Sequence, residues 1–145
     1  MRKNKGFTLI EMLVVIAIIA ILVSIVIPTV TAGTTRADAA VDAANLRSAL
    51  GALNSEIMLN NEIAIPFIQA MEPTESRLHP GCKLYVVYQI PGIVDVYYVD
   101  TSNNQYYGLK YLSEMAQTGT STVSTAEPTL NGTETWYEVG VGVIG

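Results

Sequence analysis

The chain has 145 residues, half of them hydrophobic, and its 8 basic and 13 acidic side chains give a formal net charge of −5. This length leaves room for one small domain beyond an amino-terminal segment. Sequence-specific nucleic-acid binding is not expected of an acidic chain, because that affinity depends largely on Lys and Arg neutralising phosphates. The single cysteine, Cys82, excludes an intrachain disulfide.

The first feature along the chain is an apolar run over residues 7–27 that contains only three polar residues: Thr8, Glu11 and Ser24. As a helix, these roughly 21 residues would be about 31 Å long, enough to cross a bilayer core. A cleaved secretory signal would have a shorter apolar region followed by small residues. Since basic residues precede the run, namely Arg2, Lys3 and Lys5, we predict an anchor in the cytoplasmic membrane with its amino terminus inside the cell.

Two residues at the start of this run suggest more than an anchor. Gly6 lies at the junction with the basic leader, where a peptidase could cut without removing the apolar helix. Glu11 lies four residues after the amine that such a cut would create at Phe7, and an acidic residue at mid-bilayer costs on the order of 2.5–3.5 kcal/mol. The junction Lys5-Gly6-Phe7-Thr8-Leu9-Ile10-Glu11, the apolar run and the closing Pro28 together resemble the type IV pilins and their pseudopilin relatives.

The resemblance implies a structural subunit, with no catalytic residues, cofactor or metal. A membrane prepilin peptidase would cut after Gly6 and methylate the new amine of Phe7. An assembly ATPase and a platform protein would then move the subunit from the membrane into a cell-surface filament built from copies of itself and related pilins, with Glu11 setting the stagger between neighbours. Two alternatives stay open: a pseudopilin of a type II secretion or DNA-uptake apparatus, and a membrane-anchored adhesin or receptor.

The helix is predicted to continue beyond Pro28 to about residue 59, because four apolar residues recur at helical spacing: Leu46, Leu50, Leu53 and Ile57. Asp38 and Asp42, four residues apart, suggest a solvated face opposite this stripe. Asn60 and Asn61 are a plausible end of the helix. Pro28 and Gly33 weaken the helix where its apolar part ends, which favours a kink or, by the resemblance, a segment that loses helicity on assembly.

The remaining chain reads as a connecting loop followed by strands. Prolines punctuate residues 62–82, in which Pro66 begins one or two possible helical turns. Alternating β-branched and aromatic residues then predict strands at 83–90, 93–100, 105–112 and 133–144, with a polar loop at 118–129. We therefore expect an α+β fold, the lollipop arrangement of a type IV pilin, in which the second half of the long helix packs on a four-stranded antiparallel sheet.

The chain is therefore expected to consist of five segments with different roles. Residues 1–6 are the leader that is removed, 7–28 the transmembrane and assembly helix, and 29–61 its amphipathic continuation. Residues 62–82 connect this helix to the sheet region at 83–145.

Other chemistry is weakly indicated. His79 and Cys82 are the single histidine and cysteine, too few for a zinc site and without evidence of thiol activation. Oxygen side chains at Asp100, Ser102 and Asn104 resemble the start of a calcium loop but lack its glycine and closing glutamate, so a hairpin turn is favoured. The triplet Asn131-Gly132-Thr133 is a glycosylation signal whose simpler reading is a turn.

Tyrosines are concentrated in the predicted strands. Adjacent pairs such as Tyr97 with Tyr98, and Tyr106 with Tyr107, must point to opposite faces of a sheet. Sheet packing is the expected role, since stacking on nucleic-acid bases would require interleaved Lys or Arg.

Overall fold

The computed structural model describes residues 6–61, 63, 65–89, 93–126, 128 and 134–143. The chain divides into two compact units, Met1–Thr34 and Thr35–Gly145. The described elements are, in chain order, α1 (Leu9–Asn60), α2 (Ile65–Ala70), β1 (Lys83–Gln89), β2 (Ile93–Asp100), β3 (Gln105–Gly108), α3 (Leu109–Thr118), β4 (Glu134–Glu138) and β5 (Gly142–Val143). The predicted α+β class, with a long amino-terminal helix and an antiparallel sheet, is confirmed.

Helix α1 is 52 residues long and is continuous through Pro28. Its end matches the prediction: Asn61 has a φ of 60°, and its N–H donates to the Ile57 carbonyl at 2.8 Å. Left-handed backbone at this position ends the α-helical hydrogen-bond pattern. The possible turns after the helix are also present, as α2.

The sheet has the strand order β3-β2-β1-β4-β5, and all neighbouring strands are antiparallel. Strands β1 to β4 are the four expected ones, and β5 adds two residues at one edge. The register assigns residues to two faces, because directly opposed residues share a face. The inner face carries Leu84, Val86, Val96, Tyr98 and Tyr107, and the outer face carries Tyr85, Val87, Asp95, Tyr97, Tyr106, Gly108 and Trp136.

The core of the second unit lies between α1 and the inner face of the sheet. Leu46 and Leu53 of α1 are fully buried in it, and Leu50 is partly buried against it. The fully buried Tyr98 crosses this core, and its hydroxyl is 3.3 Å from Asn45 Nδ2 and 3.1 Å from Thr74 Oγ1. The predicted apolar stripe is therefore the part of α1 that covers the sheet.

The third predicted strand, 105–112, is correct only as far as Gly108. From Leu109 the chain forms α3, in which Leu112 is fully buried. Gly119 ends this helix with a φ of 80°, and its N–H donates to the Met115 carbonyl. The apolar spacing of Leu109, Leu112 and Met115 is helical, but it directly follows a tyrosine pair typical of strands.

The fourth predicted strand, 133–144, is likewise correct only in part, because its described residues form a hairpin of β4 and β5. Val139, Gly140 and Val141 form the turn between β4 and β5, and Gly140 has a φ of 83°. Val139 is consequently buried whereas Val141 is 66% exposed, although a single continuous strand would place both on the same face. The turn expected at Asn131-Gly132-Thr133 lies outside the described residues.

Candidate functional site

The amino-terminal end of α1 is closed by two side chains that bond to each other's backbone. The Glu11 carboxylate accepts hydrogen bonds from the Thr8 N–H at 2.8 Å and the Thr8 hydroxyl at 2.7 Å. In return, Thr8 Oγ1 accepts from the Glu11 N–H at 3.3 Å. This is a capping box, which satisfies donors that the first turn of a helix leaves free. This cap is not among the features predicted from the sequence above, although the spacing Thr-x-x-Glu is its usual signal.

Gly6 and Phe7 precede this cap, and both are exposed, Phe7 by 80%. The structure therefore brings Gly6, Phe7 and Glu11 to one end of α1. Pro28 and Gly33, the other predicted site residues, lie further along the same helix and do not join them.

The first unit exposes an apolar surface along its length. Every described residue from 6 to 34 is exposed, including all large apolar side chains between Leu9 and Val30. Helix α1 is the one helix in the described chain that is long and apolar enough to cross a membrane. Since water-soluble surfaces rarely carry an apolar patch of this extent, this surface requires lipid or other protein around it.

The helix around Pro28 contains hydroxyl side chains that bond back to its own carbonyls. Ser24 donates to Ile21, Thr29 to Val26 and Thr31 to Ile27, over 2.7–2.8 Å. Such bonds allow hydroxyls to sit in apolar surroundings but compete with the regular helix pattern. Pro28 itself has no N–H to donate.

Gly33 has no packing reason to be glycine within the single chain. A Cβ atom placed on it would meet nothing within 4 Å. Because glycine costs about 1 kcal/mol in a helix relative to alanine, this residue lowers helix stability with no gain in packing here.

The expectation that Asp42 lies on a solvated face is wrong. Asp42 is fully buried, and its carboxylate accepts hydrogen bonds from Ser76 Oγ at 2.5 Å, from the Arg77 N–H at 2.9 Å and from the Leu78 N–H at 3.0 Å. It thereby fixes the loop before β1 on helix α1. Asp38, by contrast, is partly exposed.

His79 lies in this loop, and Cys82 lies at its end, directly before β1. The His79 ring stacks on Tyr107 with 3.8 Å between centroids, and burial lowers the pKa of its imidazole although the Asp42 and Asp100 carboxylates act in the opposite direction. Burial raises the pKa of the Cys82 thiol to about 11, and the thiolate is the reactive form of cysteine. Among the described residues no group of three His, Cys, Asp or Glu side chains is placed to hold a metal ion.

The residues that resemble a calcium loop form the hairpin turn between β2 and β3. Asp100 accepts from the Ser102 N–H at 2.9 Å and from Asn103 Nδ2 at 2.7 Å, and Asn104 has a φ of 54°. The Asp100 carboxylate is thus engaged in closing the turn, and these bonds lower its pKa.

The tyrosine pairs divide between the two sheet faces as predicted. Tyr98 and Tyr107 are buried on the inner face, while Tyr97 and Tyr106 lie on the outer face at intermediate exposure. On that outer face both rings contact Trp136, with centroid distances of 6.0 and 5.3 Å.

Comparison with known proteins finds similarity over part of the chain. Residues 1–27 match the family model described as the prokaryotic N-terminal methylation motif. Over 50 residues the chain is 54% identical to the type IV wide pilus major component PilA4 of Thermus thermophilus. This match covers 34% of the chain and 38% of the relative. No solved structure matches the chain.

Proposed function

We propose that the chain is a type IV pilin-family protein, as the match of residues 1–27 and the similarity to a pilus component support, and that it is a structural subunit that polymerises into a type IV pilus. The observation that carries this proposal is the matched segment itself, in which an apolar, exposed helix has a carboxylate, Glu11, in its first turn. Such proteins are structural subunits, so no catalytic activity is proposed.

The precursor would be held in the cytoplasmic membrane by residues 7–28, with the basic leader inside the cell. A prepilin peptidase would cut after Gly6 and methylate Phe7, and the exposure of both residues is compatible with access by an enzyme. A pilus ATPase and platform protein would transfer the mature chain into the filament. Adhesion or twitching motility would then be activities of the fibre as a whole.

Polymerisation would cover the apolar surface of the first unit when the chain leaves the lipid. Burial contributes roughly 25 cal/mol for each Å² of apolar surface removed from water. Helices from several copies could therefore form a filament core in which the side chains between Leu9 and Val30 contact each other instead of lipid.

Within that core the Glu11 carboxylate would need a cation, because an unpaired buried charge is costly. The mature apolar segment offers one cation, the amine of Phe7, and methylation would preserve its charge. We propose that the Phe7 amine of a neighbouring copy pairs with Glu11 and sets the stagger between subunits, as a polar residue sets register in a coiled coil. The Thr8 cap would hold the carboxylate in place before this pairing.

Pro28 and Gly33 would contribute by weakening α1. We propose that the helix loses hydrogen bonds in this stretch when subunits pack. A Cβ atom on Gly33 would meet nothing within 4 Å, so packing within the single chain does not require glycine there.

The capping box allows a test that separates charge pairing from helix capping. Glu11→Gln keeps a residue that can complete a capping box but removes the charge. Thr8→Ala removes the cap hydroxyl but keeps the carboxylate. Each variant, with Glu11→Val for complete removal, is expressed as the only copy; membrane level and cleavage are checked, and surface filaments are counted by electron microscopy.

We expect Glu11→Gln and Glu11→Val to be inserted and cut normally but to form few or no filaments, because breaking a buried ion pair costs about 3–5 kcal/mol. Thr8→Ala should still form filaments. Normal filaments from Glu11→Gln together with loss in Thr8→Ala would assign Glu11 to capping alone.

The same filaments distinguish the proposal from its alternatives. Intact mass of surface-sheared protein should correspond to a chain that begins at a methylated Phe7. A surface protein that still carries Arg2, Lys3 and Lys5 would indicate a membrane-anchored adhesin or receptor. A processed chain that forms no surface fibres, encoded beside secretion or DNA-uptake components, would indicate a pseudopilin.

A further inference from the structure

A cleft of about 650 Å³ opens on the outer face of the sheet, away from the core. Its sides are formed by β2 and β3, by the first turn of α3 and by Val123, Ser124, Ala126 and Pro128. This volume is within the range of small-molecule sites, roughly 300–1,000 Å³. The cleft lies wholly in the second unit, so it is independent of the segment that would assemble filaments.

Aromatic side chains line this cleft. Tyr97 and Tyr106 line it, and both contact Trp136 beside it. Gly108 is directly opposite Tyr97 in the sheet register, and a Cβ atom on Gly108 would come within 2.8 Å of the Tyr97 ring. The missing side chain therefore lets the Tyr97 ring lie over the backbone of β3.

A carboxylate is fixed at the edge of the Tyr97 ring. Asp95 Oδ2 accepts a hydrogen bond from the Tyr97 hydroxyl at 2.6 Å, and Oδ1 accepts from the Val96 N–H at 2.9 Å. A carboxylate has about four acceptor positions, so two of them can receive further donors. Burial and this hydrogen bond both raise the pKa of Tyr97. The phenol therefore stays protonated, and its hydroxyl donates to the Asp95 carboxylate.

The opposite wall is attached to the sheet. The Tyr106 N–H donates to the Thr125 carbonyl at 2.9 Å, so the segment containing Val123, Ser124 and Ala126 is held at the edge of β3. The cleft is consequently formed in the free chain and requires no closing movement, which lowers the cost of binding a ligand.

We propose that this cleft binds a neutral carbohydrate. A sugar ring has an apolar face of C–H groups that can pack on Tyr97 and Tyr106, and hydroxyls at its rim that can donate to Asp95. A purely apolar ligand would leave the Asp95 carboxylate desolvated and unpaired. A nucleic acid would require several cations for its phosphates, whereas Lys110 is the one cationic side chain among the lining residues that the structure describes.

The single tryptophan of the sequence provides the readout, because Trp136 contacts both tyrosines of the cleft. The full chain is purified in lauryldimethylamine oxide, a detergent without a sugar headgroup. Its tryptophan emission is then titrated with lactose, maltose, cellobiose and chitobiose at millimolar concentrations. Anilinonaphthalene sulfonate serves as an apolar probe of the same surface.

At least one disaccharide should give a saturable change in emission. Asp95→Asn should weaken that affinity about tenfold, the effect of losing roughly one charge-assisted hydrogen bond. Gly108→Ala should weaken it similarly by displacing the Tyr97 ring. Gly51→Ala is the matched control, because its Cβ would meet nothing within 4 Å, and it should bind as the wild type does.

Thermal unfolding of each variant establishes that it is folded. If Gly108→Ala does not fold, the affinity of Asp95→Asn alone tests the proposal. Three results would overturn the proposal. The first is that none of the disaccharides binds saturably. The second is that Asp95→Asn binds the saccharide with unchanged affinity. The third is that only anilinonaphthalene sulfonate gives a response.

Discussion

Asp42 offers the sharpest test of how the second unit is held together. Its carboxylate binds three consecutive residues of the loop before β1, and one of these, Ser76, also accepts from the His79 N–H at 2.9 Å. A buried acceptor on α1 thus organises a loop segment that contains no regular secondary structure. Replacing Asp42 by alanine should release this segment from the helix.

The expected magnitude follows from the donors that are left behind. Asp42→Ala leaves the N–H groups of Arg77 and Leu78, both in partly buried bonds, without their acceptor. At about 1–3 kcal/mol for each buried donor, reduced by partial access of water, unfolding should become about 2–4 kcal/mol easier. Asp42→Asn should cost less, because its amide oxygen can still accept from one of the two groups.

Chemical denaturation of a shortened chain that begins at Thr35 measures this cost, since that residue starts the second compact unit. Asp38→Ala is the matched control: it removes a carboxylate one helical turn away that is partly exposed, and it should change stability by no more than about 0.5 kcal/mol. Amide hydrogen exchange at Arg77 and Leu78 gives a local readout, which should accelerate only in the Asp42 variants. Equal stability of the Asp42→Ala and Asp38→Ala chains would refute the role assigned to Asp42.

Three further predictions concern other parts of the molecule. Leu53→Ala should destabilise the shortened chain by about 2–5 kcal/mol and Leu50→Ala by less, since Leu53 is fully buried and Leu50 only partly. A larger loss of stability in Leu50→Ala than in Leu53→Ala, measured by chemical denaturation, would contradict this packing. Because the folded pKa of His79 is below its ordinary value of 6.5, the unfolded chain binds the proton more readily, and stability should fall as the pH drops through about 6.5. His79→Phe, which can keep the stacking on Tyr107, should remove that part of the slope in denaturation between about pH 7.5 and 5.5, and unchanged slopes would exclude the effect. Gly33→Ala should leave membrane insertion intact but reduce filament number on electron micrographs, whereas Gly51→Ala, an exposed helical glycine equally free of neighbours, should not; equal filament numbers would remove the proposed role of Gly33.

The sequence predicted best what depends on residues close together in the chain. The end of α1 at Asn61 and the buried stripe at Leu46 and Leu53 each follow from local conformational preference or from a period repeated over several turns. Strand β2 was predicted at its observed bounds for the same reason, because its alternating pattern continues over eight residues.

The misassigned elements are short, and each has a local pattern typical of another structure. Helix α3 is only 10 residues long, and its first residues continue directly from the strand-like Tyr106 and Tyr107. The turn at Val139 to Val141 alternates valine with glycine as a strand could. In both places tertiary packing outweighs the local preference: Leu112 and Val139 are buried at positions that fix the observed conformations.

The Asp42 contacts and the outer cleft of the second unit depend on residues that are distant in sequence. No local sequence pattern predicts such contacts. Asp42 accepts a hydrogen bond from Ser76, which lies 34 residues later in the chain. Likewise, the Tyr97 ring finds space only because the sheet register places Gly108 opposite it. A carboxylate four residues after another on a helix has the same spacing whether it is solvated or buried, so the error at Asp42 could not be avoided from the sequence alone.

Helix α3 illustrates how these distant contacts bind the second unit to α1. Arg36 donates to the Thr118 carbonyl at 3.1 Å and Arg47 to Ser113 Oγ at 2.9 Å. The two arginines lie on nearly the same face of α1, since eleven residues make about three turns. The higher number on α1 pairs with the lower number on α3, so the two helices run antiparallel along this contact. Arg36 also brings its positive charge to the carboxyl end of α3, where a helix favours cations. A helix that the sequence pattern did not reveal is therefore positioned by residues 36–47 of the long helix α1. Its first turn lines the outer cleft.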